Sequence, residues 1–177
     1  MTAFPENATA VLVHGAWADG YCWSNIILPL KRSGLKVICP PLPLTSLTND
    51  TAALNWALER TTGLLVLVGH AYSGAVIAQV REERVKSLVC IAALAPDEGE
   101  TVAKMFYRDP KPQESPKLAP DSHDFISIPE VGFHRAVAQT RRPTKRRSRP
   151  RCNGPLPLHA FKSPRRHRCG NQSLRGF

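Results

Sequence analysis

An α/β fold, a parallel sheet with helices on both faces, is the class that three observations predict. Strand-length apolar runs alternate with helix-period segments from Ala8 to Leu94. The central run, Leu64-Leu65-Val66-Leu67-Val68, is Leu or Val throughout, as suits a strand covered on both faces. The residues after it, Gly69-His70-Ala71-Tyr72-Ser73-Gly74, are mostly small, as a tight passage from strand to helix requires.

Taken in order, residues 1–7 are a short polar lead and residues 8–14 read as the first strand. Residues 15–20 form a loop with two glycines and Asp19. Trp23, Ile26, Ile27 and Leu30 recur at i, i+3, i+4 and i+7, which predicts a helix over residues 23–35 with Gly34 as its stop. Residues 36–39 read as a short second strand. Pro40-Pro41-Leu42-Pro43 then forbids helix and regular sheet alike. A second helix is expected over residues 46–60, capped by Asn49 or Asp50, with Ala53, Trp56, Ala57 and Arg60 on one face and Gly63 beyond its end. The central strand follows, then a third helix from Tyr72 to about Glu83 and a fourth strand over residues 85–94. Pro96 opens a different region, where Asp97-Glu98-Gly99-Glu100 reads as a turn and helix cap.

The chain has 177 residues, which favours one domain, and 42% hydrophobic residues, which is enough for a core. Its charge is unevenly spread. Residues 1–135 carry 12 basic and 14 acidic side chains, whereas residues 136–177 carry 12 basic and none acidic. The net charge of +10 is therefore a property of the tail. Of five cysteines, Cys22, Cys39 and Cys90 lie in apolar segments and read as buried thiols, while Cys152 and Cys169 lie in the tail. The odd count and the spacing suggest no disulfide framework, and point to a reducing, cytoplasmic setting. The first residues carry no basic start and no apolar run, and no segment is long and apolar enough to predict a membrane span.

The strand–turn–helix around Ala71 has the form of a nucleophile elbow, G-x-S-x-G, read here as Gly69-His70-Ala71-Tyr72-Ser73. Together with Val11-Leu12-Val13-His14-Gly15-Ala16-Trp17, it makes residues 8–139 resemble an α/β-hydrolase. The resemblance is to the branch of small esterases and hydroxynitrile-lyase-like proteins. It implies an α/β-hydrolase fold, a small-ester or similar substrate, and no cofactor. It also implies oxyanion donors at the backbone N–H groups of Ala16 and Tyr72, and a pocket lined by His14, Gly15, Trp17 and His70. It places a cap at about residues 97–139, with a cap strand at residues 125–128 and a cap helix at residues 133–138.

The elbow departs from the family pattern at two positions. Ala71 stands where the nucleophile belongs, and its methyl group can attack nothing; Ser73 stands where a glycine is usual. Ser73 could act only from a position about 200° around the helix, given 3.6 residues per turn. His123, His134, His159 and His167 are the remaining histidines, and none follows a core strand. Asp97 follows the fourth strand but reads as a turn residue. The family order of nucleophile, acid and histidine is thus not continued past about Gln139, which predicts an incomplete fold lacking the last core strands and a catalytically impaired site. A small-molecule binder on the same fold is the alternative expectation.

Residues 140–177 read as a separate basic, Pro- and Arg-rich tail, disordered by composition. It could bind phosphate backbones, but it lacks the interleaved aromatics that stack on bases. Cys152, His159, His167 and Cys169 match no tight metal-ligand spacing, so no metal is expected. The abrupt change in composition also suits translation in a shifted reading frame.

Overall fold

The computed structural model describes residues 5, 7–97, 99–108, 119–122, 125–128 and 156–157. Four strands form the main sheet: β1 (Thr9–Val13), β2 (Lys36–Ile38), β3 (Leu65–His70) and β4 (Val85–Ile91). Their order is β2-β1-β3-β4 and every pairing is parallel, as the alternation of strand and helix predicts. Val11 pairs with Leu67 and Val13 with Gly69, so β1 and β3 run out together and their following loops emerge at the same edge. In an open parallel sheet that edge is where a binding crevice forms.

The helices are α1 (Ser24–Arg32), α2 (Leu47–Glu59), α3 (Ser73–Ile77) and α4 (Val102–Tyr107), with a 3-10 turn at Gly20–Trp23 before α1. One face of the sheet packs Leu54, Leu58, Leu65, Leu67 and Ile77, all fully buried, beneath α2 and α3. Burial of each such side chain contributes about 1.5–3 kcal/mol. The opposite face packs Ala8, Ala10, Leu12 and Val68 against Trp23, with Ile27 and Leu30 of α1 half-buried over them. Arg84 fastens the start of β4 to the end of α2. It donates to Leu58 O at 3.1 Å and Thr61 O at 2.6 Å and pairs with Glu82 at 3.1 Å.

Several elements differ from their sequence reading. Trp23 belongs to the 3-10 turn rather than to α1, and Ile26 faces solvent. Asp19 caps that turn by accepting from Tyr21 N–H at 2.8 Å. The cap of α2 is Ser46, whose hydroxyl accepts from Asn49 N–H at 3.0 Å; neither Asn49 nor Asp50 fills that role. The buried side of α2 is Leu47, Asp50, Leu54 and Leu58. Trp56 and Arg60 lie exposed and stack on each other at 4.4 Å. The third helix ends at Ile77, well short of Glu83, and β4 ends at Ile91, short of Leu94. Against the expectation of buried thiols, Cys22 and Cys90 are exposed and Cys39 is half-buried. Glu100 N–H donates to Asp97 O at 3.0 Å, and α4 follows with Thr101 as its cap.

A short strand β5 (Phe125–Ile126) pairs antiparallel with β6 (Leu156–Pro157). The expected cap helix at residues 133–138, and the tail apart from residues 156–157, lie outside the described residues. Among the described residues no helix is long and apolar enough to cross a membrane.

Candidate active site

The site is built where β3 turns into α3. Only Ala71 and Tyr72 separate the two elements, so the chain reverses within two residues. Ala71 takes a left-handed backbone, with φ of +52°. For an L-residue with a β-carbon this conformation costs about 1–2 kcal/mol. Three hydrogen bonds hold it there. Leu94 N–H and Gly74 N–H donate to Ala71 O at 2.8 and 3.2 Å, and Ala71 N–H donates to Ile91 O at 3.3 Å. The reversal also needs α3 to lie close to the strands. A β-carbon on Gly74 would stand 2.5 Å from Leu94 O.

The loop after β1 closes the other side. His14 is buried, and its Nε2 accepts from Leu42 N–H at 3.1 Å. The proton of the neutral ring is therefore on Nδ1, which donates to Gly15 O at 2.9 Å. His14 thus acts as a strut that ties the loop after β1 to the proline-rich loop after β2. Gly15 lies directly against the elbow: a β-carbon there would stand 3.0 Å from His70 O and 3.1 Å from the Ala71 methyl. Ala16 and Trp17 follow, half-buried, with Trp17 at a φ of +56°. The Trp17 indole N–H donates to Ile126 O at 2.8 Å, which latches the loop to β5. His70, half-buried, meets Trp23 edge to face at 6.2 Å. The loop and the elbow, read from sequence as two motifs about 55 residues apart, are in contact at Gly15 and Ala71.

Ser73 is fully buried. Its hydroxyl accepts from His70 N–H at 2.8 Å and stands 2.7 Å from Val13 O and 2.9 Å from His70 O. Its proton is engaged by those carbonyls. It joins β1 to the elbow from inside the protein, whereas the half-buried Ala71 occupies the apex.

One side chain of the site was read from the sequence only as a helix cap. Asp50 of α2 is fully buried; its Oδ1 accepts from Leu44 N–H at 2.7 Å and its Oδ2 from the Tyr72 hydroxyl at 2.7 Å. Burial pushes the Asp50 carboxyl above the usual carboxylate range, while the Tyr72 and Leu44 hydrogen bonds act against that rise. Burial, and then the Asp50 charge, push Tyr72 well above the ordinary tyrosine range, so its hydroxyl stays a neutral donor. Asp50 thereby fixes Tyr72, the residue after the apex, from behind. A signal existed in the sequence only as an acidic residue on the helical stripe of Leu47, Leu54 and Leu58.

Asp97 is exposed and engaged in its turn, with its N–H donating to Glu100 at 3.1 Å. His123, His134, His159, His167, Cys152 and Cys169 lie outside the described residues. Among the described residues no three His, Cys, Asp or Glu side chains come together to hold a metal ion.

Comparison with known proteins supports the fold. The chain is 29% identical over 147 residues to the "Carbendazim hydrolyzing esterase" of Nocardioides sp. (strain SG-4G), an alignment covering 73% of this chain and 55% of that protein. The chain thus spans about half the length of this curated relative. A pyrethroid hydrolase from Sphingobium faniae JZ-2 superposes with a TM-score of 0.70 over 89% of this chain and 71% of that one, at 21% identity. A pyrethroid hydrolase structure carrying S78A gives a TM-score of 0.61 at 23% identity, over 73% of this chain and 59% of the other. The sequence profile of the alpha/beta hydrolase family matches residues 10–168, beyond Gln139, where the motif-level resemblance was expected to end. With that match spanning most of its length, the chain belongs to the alpha/beta hydrolase family.

Proposed function

We propose that this chain is a small-molecule-binding member of the hydrolase family, whose site keeps the shape of an esterase centre but turns over little or no ester. The observation that carries the reading is Ala71, a methyl group at the left-handed apex against Gly15. An acyl-transfer site needs a nucleophile, a base to activate it and donors for the oxyanion. The backbone N–H groups of Ala16 and Tyr72 are the donors in this reading, since a change of side chain leaves a backbone donor intact. Loss of a triad nucleophile elsewhere costs on the order of 10^6 in kcat, and the donors and binding alone retain a modest residual rate. Gly15, Trp17 and His70 line the pocket in this reading, with His14 buried beside them as the strut of the loop. Small esters and related acyl compounds are the ligand class, supported by the esterase relative.

Titration of the 177-residue protein with p-nitrophenyl acetate tests both halves. Saturable change in tryptophan fluorescence is expected, with nitrophenolate released no faster than in buffer. Release clearly above the buffer rate contradicts the loss of turnover, and a flat titration contradicts binding.

A further inference from the structure

Asp50 is fully buried on α2, and its two oxygens are engaged by two different loops that border the site. Oδ2 accepts from the Tyr72 hydroxyl at 2.7 Å and so holds the elbow. Oδ1 accepts from Leu44 N–H at 2.7 Å and so holds the proline-rich loop after β2. In that same loop Leu42 N–H donates to His14 Nε2, and His14 Nδ1–H donates in turn to Gly15 O. Gly15 O belongs to the peptide whose N–H is that of Ala16. A trans peptide is planar and its C=O and N–H point opposite ways, so a hydrogen bond that fixes Gly15 O also aims the Ala16 N–H. One carboxylate thus stands at the root of two hydrogen-bonded paths. One ends at Tyr72 and the other at the Gly15–Ala16 peptide.

We infer that Asp50 is a positioning residue of the site: ionised, it holds the backbone N–H groups of Ala16 and Tyr72 in one fixed geometry, and protonated, it loosens them. That these two groups receive a ligand's carbonyl oxygen rests on the function proposed above. Hydrogen bonds to a carboxylate are roughly twice as strong as neutral ones. On protonation one oxygen becomes a hydroxyl donor, and neither contact keeps the assistance of the charge. Burial raises the proton affinity of Asp50, and the Tyr72 and Leu44 hydrogen bonds and then His14 oppose that rise. Among the described residues, Tyr72 and His14 are the ionisable groups that bear on it; neither residues 40–46 nor α3 carries one. Ligand affinity therefore falls as pH drops through the raised carboxyl value.

Backbone amide NMR of the ligand-free 177-residue protein, across about pH 4–7.5, is the first test. The Leu44, Tyr72 and Ala16 amides should shift together, with one midpoint above the ordinary carboxylate range. They should stop shifting in Asp50→Asn, the isostere of the protonated acid. Tyr72→Phe should silence the elbow amide and leave Leu44 and Ala16 titrating. p-Nitrophenyl acetate, uncharged throughout, should bind the wild type at least about fivefold more weakly below the midpoint than above it, and Asp50→Asn with one weak affinity at every pH. Shifts confined to Leu44 and Tyr72 overturn the inference. So does an Ala16 titration that survives in Asp50→Asn, which would belong to His14, or a wild-type affinity that ignores pH. Amides that titrate together in a protein that binds no ester at any pH sustain the role of Asp50 and contradict the ligand reading instead.

Discussion

Gly74→Ala is expected to lower stability by about 3 kcal/mol, at the upper end of what overpacking costs, and Tm by roughly 6–12 °C for a chain of this size. The added methyl would stand 2.5 Å from Leu94 O and 2.7 Å from the Ala93 β-carbon. Neither partner is the end of a flexible side chain. One is backbone, and Leu94 N–H also donates to Ala71 O, so moving it disturbs the apex directly. The substitution leaves charge and hydrogen bonding of the elbow otherwise unchanged. Thermal unfolding checks it, and an unaltered Tm would mean that α3 does not lie this close to the chain after β4.

Asp50→Ala is expected to cost about as much, roughly 3 kcal/mol, by removing the carboxylate that accepts from the buried Tyr72 hydroxyl and from Leu44 N–H. Asp50→Asn should cost much less. Its carbonyl can accept from Leu44 N–H while its amide donates to the Tyr72 oxygen. The pair also predicts a pH signature. The folded carboxyl is held above its ordinary value by burial, so the folded state binds the proton more tightly than the unfolded chain does. Stability therefore falls as pH rises from the ordinary carboxylate value through the raised one. Wild type minus Asp50→Asn, measured as unfolding free energy against pH, should show that fall. A difference that rises with pH would assign Asp50 the opposite environment.

The parts of the fold that were legible in the sequence are those set by local pattern. The unbroken Leu64–Val68 run and the Gly69–Gly74 turn identify β3 and the elbow, because a buried parallel strand and a tight reversal leave little choice of residue. The loop at His14–Trp17 follows for the same reason. What was illegible depends on contacts distant along the chain. Ala53, Trp56, Ala57 and Arg60 share a helical stripe with a large aromatic on it, and only the position of the sheet shows that the stripe of Leu54 and Leu58 is the buried one. Asp50 looks like a cap because it stands near a helix start; its partner, Tyr72, is 22 residues away. Ser73 looks like a hydroxyl beside an active site, yet a register of β1 against β3 turns it inward to Val13 O. Trp17 gives no hint that its indole reaches a carbonyl 109 residues further on.

The central claim is that the elbow keeps its shape around a residue that cannot attack. The most direct measurement is exposure of the protein to a fluorophosphonate, a reagent for activated serines, followed by intact mass and peptide mapping. The account predicts no adduct on residues 69–74, since Ala71 has no hydroxyl and Ser73 is buried with its hydroxyl engaged by Val13 and His70. A stoichiometric adduct on Ser73 would contradict it and return that serine to the role of nucleophile.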